Sequence, residues 1–95
     1  NIYPAEIEQV MLADERVHEA VVVRRPDRKW SEVPVAFVVP ADPSLTADDL
    51  MDLCRENLSS YKRPKDIIFL AAEDLPRSTT GKVQRHELEA RLPEL

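Results

Sequence analysis

Two unbroken apolar runs, rich in β-branched residues, constrain the fold of this chain more than any other feature. The first, Ala20-Val21-Val22-Val23, is the centre of a predicted strand over residues 17–24, and the second spans residues 33–39. A continuous run such as the first, without polar alternation, is typical of a strand buried on both faces. Pro40 and Pro43 follow the second run, and proline rarely continues a strand. We therefore predict two strands in a sheet that is covered by helices.

Helical patterns precede, separate and follow these strands. Residues 1–13 predict a helix in which Pro4 takes the first position, where its missing N–H group costs nothing. Thr46 and Asp49 have the spacing of a capping box at the start of the clearest helix. Residues 84–92 predict a closing helix.

A third short strand, at residues 67–70, completes the order helix, strand, strand, helix, strand, helix. The second and third strands are joined through a helix, and such a crossover permits parallel pairing. We predict an α/β (α+β) fold in which a small three-stranded sheet is flanked by helices, as one domain over residues 1–95. A chain of 95 residues has room for one core but hardly for a deep cavity, so function needs a surface or a partner domain.

Composition excludes several classes of function. The formal net charge of −5 opposes general nucleic-acid binding, which requires concentrated lysine and arginine. No apolar run is long enough to span a membrane, and no signal peptide is visible. The single cysteine, Cys54, fits a reducing compartment, so we expect a cytoplasmic protein. His18 and His86 stand alone, without the spacing of metal ligands, and we predict no metal site.

Lys82 is the strongest candidate for a chemical role. It follows the only glycine of the chain, Gly81, in a long polar loop just before a helix, and loops often carry function. The end of a phosphate-binding P-loop is matched in part by the segment Thr79-Thr80-Gly81-Lys82. Pro76 replaces the first glycine of that motif, however, and Val83 replaces the serine or threonine after the lysine. Without further information, Lys82 would be interpreted as a solvated loop residue.

Four segments together resemble the adenylate-forming enzymes. They are residues 1–8 (NIYPAEIE), 33–39 (VPVAFVV), 61–65 (YKRPK) and 75–83 (LPRSTTGKV). The first and third are similar to acyl- or aryl-CoA ligases rather than to peptide-synthetase domains, and all four belong to the small C-terminal domain. Ser31 departs from the family pattern, which often has glycine before Glu32. The ending Pro93-Glu94-Leu95 is not a peroxisomal tripeptide.

The resemblance implies a two-step reaction in a larger enzyme. A fatty or aromatic carboxylate attacks the α-phosphate of ATP, and the thiol of CoA then attacks the acyl-adenylate and releases AMP. The chain begins with Asn1, and we expect it to be a fragment whose partner is its own N-terminal adenylation domain, which holds ATP, Mg²⁺ and the acid. The small domain is expected to rotate between the steps, and alone to be inactive and to bind no cofactor.

Site residues follow from the same resemblance. By its position in the last motif, Lys82 is expected to serve adenylation, with Arg77, Thr80 and Gly81 in the nucleotide loop. Residues 76–82 also resemble the P-x-x-x-x-G-K context in which protein lysine acyltransferases modify ligases of this family. An acyltransferase and a deacylase are therefore expected partners, with Lys82 as the modified residue.

A basic loop is the candidate for contacting CoA. Its positive charges are suited to the phosphates of that ligand, and its residues are Arg24, Arg25 and Lys29, with Trp30. A solvated loop would account for this cluster of charges equally well. Two alternatives for the whole chain remain open. One is a non-catalytic anion-binding module with the same fold, and the other is a regulator that acts on a ligase in trans.

Overall fold

The computed structural model describes residues 2–92. Two parts of the sequence that were used above lie outside the described residues, namely Asn1 and the ending Pro93-Glu94-Leu95. The helices and strands follow in the predicted order. They are α1 (Pro4–Leu12), β1 (Val17–Asp27), β2 (Ser31–Pro40), α2 (Ala47–Asn57), β3 (Asp66–Phe69) and α3 (Arg85–Ala90). Short 3-10 turns lie at Ser60–Lys62 and Ala72–Asp74.

The three strands form one mixed sheet in the order β1-β2-β3. β1 and β2 pair antiparallel, with Val22 opposite Ala36. β2 and β3 pair parallel, with Ala36 opposite Ile67, and α2 lies in the connection between them. The predicted crossover and the predicted fold class are therefore confirmed.

Helices cover both faces of the sheet, as the unbroken apolar runs predict. Because successive strand residues point to opposite faces, Val22 and Ala36 pack with α1 and α2, whereas Val23 and Val35 pack with α3. Ile7 of α1, Leu50 of α2 and Leu88 of α3 are fully buried. Cys54 is also fully buried, and this burial raises the pKa of its thiol.

The helix boundaries confirm most of the sequence signals. Pro4 is the first residue of α1. At the start of α2, the Thr46 hydroxyl accepts the Asp49 N–H at 3.1 Å, and the Asp49 carboxylate accepts the Thr46 N–H at 3.1 Å. α3 is shorter than the predicted helix over residues 84–92, but Leu92 still packs against the same apolar cluster as Leu88. Within residues 2–92, no helix is long and apolar enough to cross a membrane.

The predicted basic loop is wrong for Arg25, which lies in β1, and Arg24 also lies in β1, as the predicted strand over residues 17–24 has it. Pairing with β2 continues to Asp27 opposite Ser31, so only residues 28–30 connect the two strands. Pro26 suggested a loop, but β1 is an edge strand, and proline is tolerated there. The Asp27 carboxylate closes the turn by accepting the N–H groups of Lys29 and Trp30, each at 3.0 Å.

Ser31 has a backbone conformation that favours glycine. Its φ is +72°, in the left-handed region, where an ordinary side chain costs about 1–2 kcal/mol. This is the position at which the sequence departs from the glycine common in the adenylate-forming enzymes. The β1–β2 hairpin therefore has serine at a turn position whose backbone conformation favours glycine.

Side chains from two helices occupy the outer edge of β1. The Val22 N–H donates to Glu8 of α1 at 2.8 Å, and the Val22 carbonyl accepts from Arg85 of α3 at 2.9 Å. The Arg24 N–H donates to Glu89 of α3 at 3.1 Å. Side chains of α1 and α3 thus form the hydrogen bonds that these backbone groups of β1 cannot form with a neighbouring strand.

Candidate functional site

The polar segment that carries Lys82 is a small hairpin rather than an irregular loop. We call residues 76–84 the lysine hairpin. The Gln84 N–H donates to the Pro76 carbonyl at 2.9 Å, and the Ser78 N–H donates to the Lys82 carbonyl at 2.9 Å. These two bonds fix its arms, so Lys82 occupies a defined position on the second arm.

Gly81 closes the turn of the lysine hairpin. Its N–H donates to the Ser78 carbonyl at 2.9 Å, and its φ is +84°. A three-residue hairpin loop that ends in a left-handed glycine has this pattern. A Cβ atom on Gly81 would meet nothing within 4 Å, so glycine is needed here for its backbone conformation and not for space. The Thr80 hydroxyl lies 2.9 Å from the Ser78 hydroxyl and stiffens the turn.

Lys82 is exposed beside a shallow depression. The depression has a volume of about 400 Å³, and Ser78, Gln84, Arg85 and His86 line it with Lys82. Among residues 2–92, no carboxylate oxygen lies within 4.0 Å of the Lys82 Nζ atom. Its ammonium group is therefore available to an anion brought to this surface.

Arg77 anchors the first arm of the lysine hairpin to β1. Its Nη2 atom donates to the two carboxylate oxygens of Glu19 at 2.7 and 2.5 Å. Its Nη1 atom donates to the Gly81 carbonyl at 3.2 Å. The guanidinium group of this predicted nucleotide-loop residue is thus already engaged within the domain.

Arg85 anchors the end of the second arm. Its Nη1 atom lies 2.6 Å from a carboxylate oxygen of Glu8 in α1 and 2.9 Å from the Val22 carbonyl in β1. The hydrogen bond with Glu8 raises the pKa of Arg85. Sequence reasoning did not identify Glu8, Glu19 or Arg85 as site residues, because the partners lie 58 and 77 positions apart and no local spacing joins them.

A second polar and aromatic surface lies between the β1–β2 turn and the segment before β3. It is a cleft of about 510 Å³ whose lining includes Trp30, Tyr61, Arg63 and Lys65. Trp30 is 64% exposed and Tyr61 is 68% exposed, which is unusual for large aromatic side chains. Lys29 extends its Nζ atom to 5.0 Å from the centre of the Trp30 ring. The cleft therefore combines open aromatic faces with positive charge.

Of the four predicted CoA-contact residues, only Trp30 lines this cleft, and Lys29 lies beside it against the Trp30 ring. Arg24 is exposed, and its strand partner Pro34 does line it. Arg25 is buried, with an Nη1 atom 3.6 Å from the Asp66 carboxylate, and its Nε atom has no hydrogen-bond partner among residues 2–92. The structure thus brings Lys29 and Trp30 together, whereas Arg25 is buried and does not reach the cleft.

Comparison with known proteins explains this architecture. The family model described as the AMP-binding enzyme C-terminal domain matches residues 6–82, from α1 to the lysine of the hairpin. The chain belongs to this family. The predicted resemblance is therefore confirmed, and the match includes the lysine hairpin as far as Lys82.

Curated relatives of this C-terminal domain are CoA ligases. The 2-succinylbenzoate–CoA ligase of Listeria monocytogenes is 47% identical over 91 residues, covering 96% of this chain and 19% of the relative. The enzyme of the same name from Bacillus cytotoxicus is 46% identical over 94 residues, covering 99% and 19%. The chain thus spans about a fifth of the length of the curated relatives it matches.

Solved structures have the same fold. A fatty acyl CoA synthetase of Mycobacterium tuberculosis matches with a TM-score of 0.86 and 38% identity, over 96% of this chain and 18% of that one. The o-succinylbenzoate CoA synthetase of Bacillus subtilis, in complex with the acyl-adenylate intermediate OSB-AMP, matches with a TM-score of 0.84 and 43% identity. That match covers all of this chain and 19% of the other.

Proposed function

We propose that this domain is the C-terminal part of an ATP-dependent acyl- or aryl-CoA ligase and that Lys82 serves its adenylation step. The observation that carries the proposal is an exposed lysine, free of carboxylate partners in the described part of the chain, on a hairpin anchored at both arms. The names of the curated relatives favour an aromatic acid of the 2-succinylbenzoate type over a fatty acid. The direct test compares the two half-reactions with and without Lys82.

Charge explains why the first step needs a lysine. The carboxylate of the acid attacks the α-phosphorus of ATP, and the bond to pyrophosphate breaks. Two anions must approach each other, and a compact ammonium group offsets their repulsion while negative charge builds on the phosphate. Lys82 supplies that charge from the hairpin, while the rest of the enzyme holds ATP, Mg²⁺ and the acid.

The second step makes a different demand on the domain. The thiol of CoA attacks the acyl carbon of the adenylate, its proton is lost, and AMP leaves. No pair of anions is joined, so Lys82 has no corresponding role. We propose that the domain rotates between the steps, withdrawing the lysine hairpin and presenting another surface, because such rigid-body gating lets one site carry out two reactions.

The aromatic cleft suits the nucleotide end of CoA. Adenine stacks on exposed aromatic rings such as Trp30 and Tyr61, and lysine ammonium groups attract the phosphates of CoA. Lys65 lines the cleft, and Lys29 lies beside it in the β1–β2 turn, next to Trp30. Arg24 and Arg25 add positive potential near this end of β1 without lining the cleft.

Substitution of Trp30 tests the CoA site. In the full-length enzyme, Trp30→Ala should raise the KM for CoA by about tenfold, the effect expected from losing one base-stacking contact, and should leave the KM for ATP unchanged. Lys29→Ala should raise the same KM by a smaller factor, whereas Arg55→Ala, which removes a charge from the exposed side of α2, should not. Unchanged CoA kinetics in both Trp30→Ala and Lys29→Ala would contradict the assignment.

We also propose that a protein lysine acyltransferase modifies Lys82 and that a deacylase restores it. The amine attacks the acyl carbon of an acyl-CoA, the CoA thiol leaves, and the charge needed for adenylation is lost. Lys82 is exposed, whereas the Nζ atom of Lys62 lies 3.1 Å from both carboxylate oxygens of Glu6. That hydrogen bond raises the pKa of Lys62 and so lowers its content of nucleophilic amine.

The modification is measured by mass spectrometry of the domain treated with an acyltransferase and acetyl-CoA. Lys82 should be acetylated first, and Lys62 should be among the slowest lysines. Glu6→Gln should increase labelling of Lys62 and leave that of Lys82 unchanged, because it removes the partner of Lys62 alone. Equal labelling of Lys62, Lys65 and Lys82 in the unsubstituted domain would contradict the proposal.

A further inference from the structure

We propose that Glu19 is a positioning residue for Lys82 and acts through Arg77. The inference rests on the adenylation role proposed for Lys82. Glu19 lies on β1, 63 positions before the lysine, and does not line the depression beside it. Its contribution is to hold the hairpin that carries the ammonium group.

A continuous path of short contacts joins Glu19 to the lysine. Both carboxylate oxygens of Glu19 accept from Arg77 Nη2, at 2.7 and 2.5 Å. The same guanidinium donates through Nη1 to the Gly81 carbonyl at 3.2 Å, and that carbonyl belongs to the peptide bond leading into Lys82. One arginine therefore connects β1 to the backbone immediately before the lysine.

The strand directs Glu19 toward the hairpin. The β1–β2 register shifts between Val17 and Glu19, and such irregularities re-aim side chains. After the shift, Glu19 shares a sheet face with Val21 and Val23. Leu75, which precedes the lysine hairpin, and Leu88 of α3 pack on that face. Glu19 consequently lies on the side of the sheet from which the hairpin extends.

The environment of the ion pair favours a role in orientation. The Glu19 side chain is 25% exposed and that of Arg77 is 36% exposed, so water competes only in part for their hydrogen bonds. Surface ion pairs of this kind contribute little to global stability. A small displacement of a catalytic group, however, lowers a rate strongly, by as much as about 10²-fold for 1 Å. Removing the Glu19 charge should therefore affect the chemistry more than the fold.

The experiment uses the full-length enzyme with Glu19→Gln, which keeps the shape of the side chain and removes its charge. Single-turnover formation of acyl-adenylate should slow by about tenfold, within the range that misplacement of a catalytic group produces. Thioester formation from supplied acyl-adenylate and CoA should stay within about twofold of normal, and the Tm within about 3 °C. Glu19→Asp should slow the formation of acyl-adenylate less than Glu19→Gln does. Glu56→Gln, which neutralises an exposed carboxylate on α2, should change the rate of neither half-reaction.

The decisive readout is the combination of Glu19→Gln with Lys82→Ala. If Glu19 acts through the lysine, the double variant should adenylate no more slowly than Lys82→Ala alone, because there is no ammonium left to position. A further tenfold loss in the double variant, or equal slowing of both half-reactions in Glu19→Gln, would overturn the proposal.

The single variants separate the two claims. Slow adenylation in Lys82→Ala together with normal adenylation in Glu19→Gln would overturn the positioning role and leave the proposed function standing. Normal adenylation in Lys82→Ala would overturn the proposed function and, with it, the role of Glu19.

Discussion

Replacing Lys82 with alanine in the full-length enzyme is expected to slow the formation of acyl-adenylate by about 10²–10³-fold. This is the effect of removing one preorganised group that stabilises charge in a transition state. Given chemically synthesised acyl-adenylate and CoA, the same variant should form thioester at close to the normal rate, since that step joins no pair of anions. Single-turnover assays of each half-reaction provide the measurement.

Lys82→Arg is the matched variant, because it keeps the positive charge and changes its shape. It should restore adenylation poorly, since a planar guanidinium does not replace a compact ammonium group between a carboxylate and a phosphate. Equal impairment of both half-reactions by Lys82→Ala would contradict a role confined to adenylation. No impairment of either would favour the non-catalytic anion-binding alternative.

Leu88→Ala should cause the largest loss of stability among the substitutions considered. Leu88 is fully buried and is the residue through which α3 enters the apolar cluster of Val21, Val35 and Phe37. Truncating a fully buried leucine costs about 2–5 kcal/mol, a large part of the free energy of unfolding of a small domain. Denaturant unfolding of this 95-residue chain should show the loss as a lower midpoint with an unchanged slope.

Leu12→Ala is the control for this substitution. Leu12 ends α1 and is 48% exposed, so its truncation should change the free energy of unfolding by no more than about 0.5 kcal/mol. Leu88→Met, which nearly keeps the volume, should cost less than about 1.5 kcal/mol. If Leu88→Ala cost no more than Leu12→Ala, α3 would not be held by the cluster in the way the structure indicates.

Much of the fold could be predicted because its signals are local. The capping box of Thr46 and Asp49 spans four neighbouring positions, and so does the valine-rich run at residues 20–23. The extension of β1 through Arg25 to Asp27 was missed because it depends on pairing with β2. Charge and Pro26 suggested a loop there, but pairing on an edge strand outweighed both.

Less of the candidate site could be predicted. Lys82 and Gly81 were identified from the motif, and their roles in catalysis stay predictions. The contacts of Arg77 with Glu19 and of Arg85 with Glu8 depend on three-dimensional placement, so no spacing in the chain reveals them. For the same reason the sequence does not reveal that Tyr61 and Trp30 line one cleft. Ser31 is a further local signal, because it marks a backbone position with positive φ.

The contacts along the outer edge of β1 also bear on self-association of the domain. An open strand edge can pair with a strand of another molecule and so begin aggregation. At Val22 and Arg24 the edge is occupied, because Glu8, Arg85 and Glu89 already bind its backbone groups. β3, at the other edge of the sheet, is only four residues long, and short edge strands are poor templates. Intermolecular strand addition is therefore disfavoured at both edges. Arg85, one of the two arginines that anchor the lysine hairpin, is also one of the side chains that occupy the edge of β1.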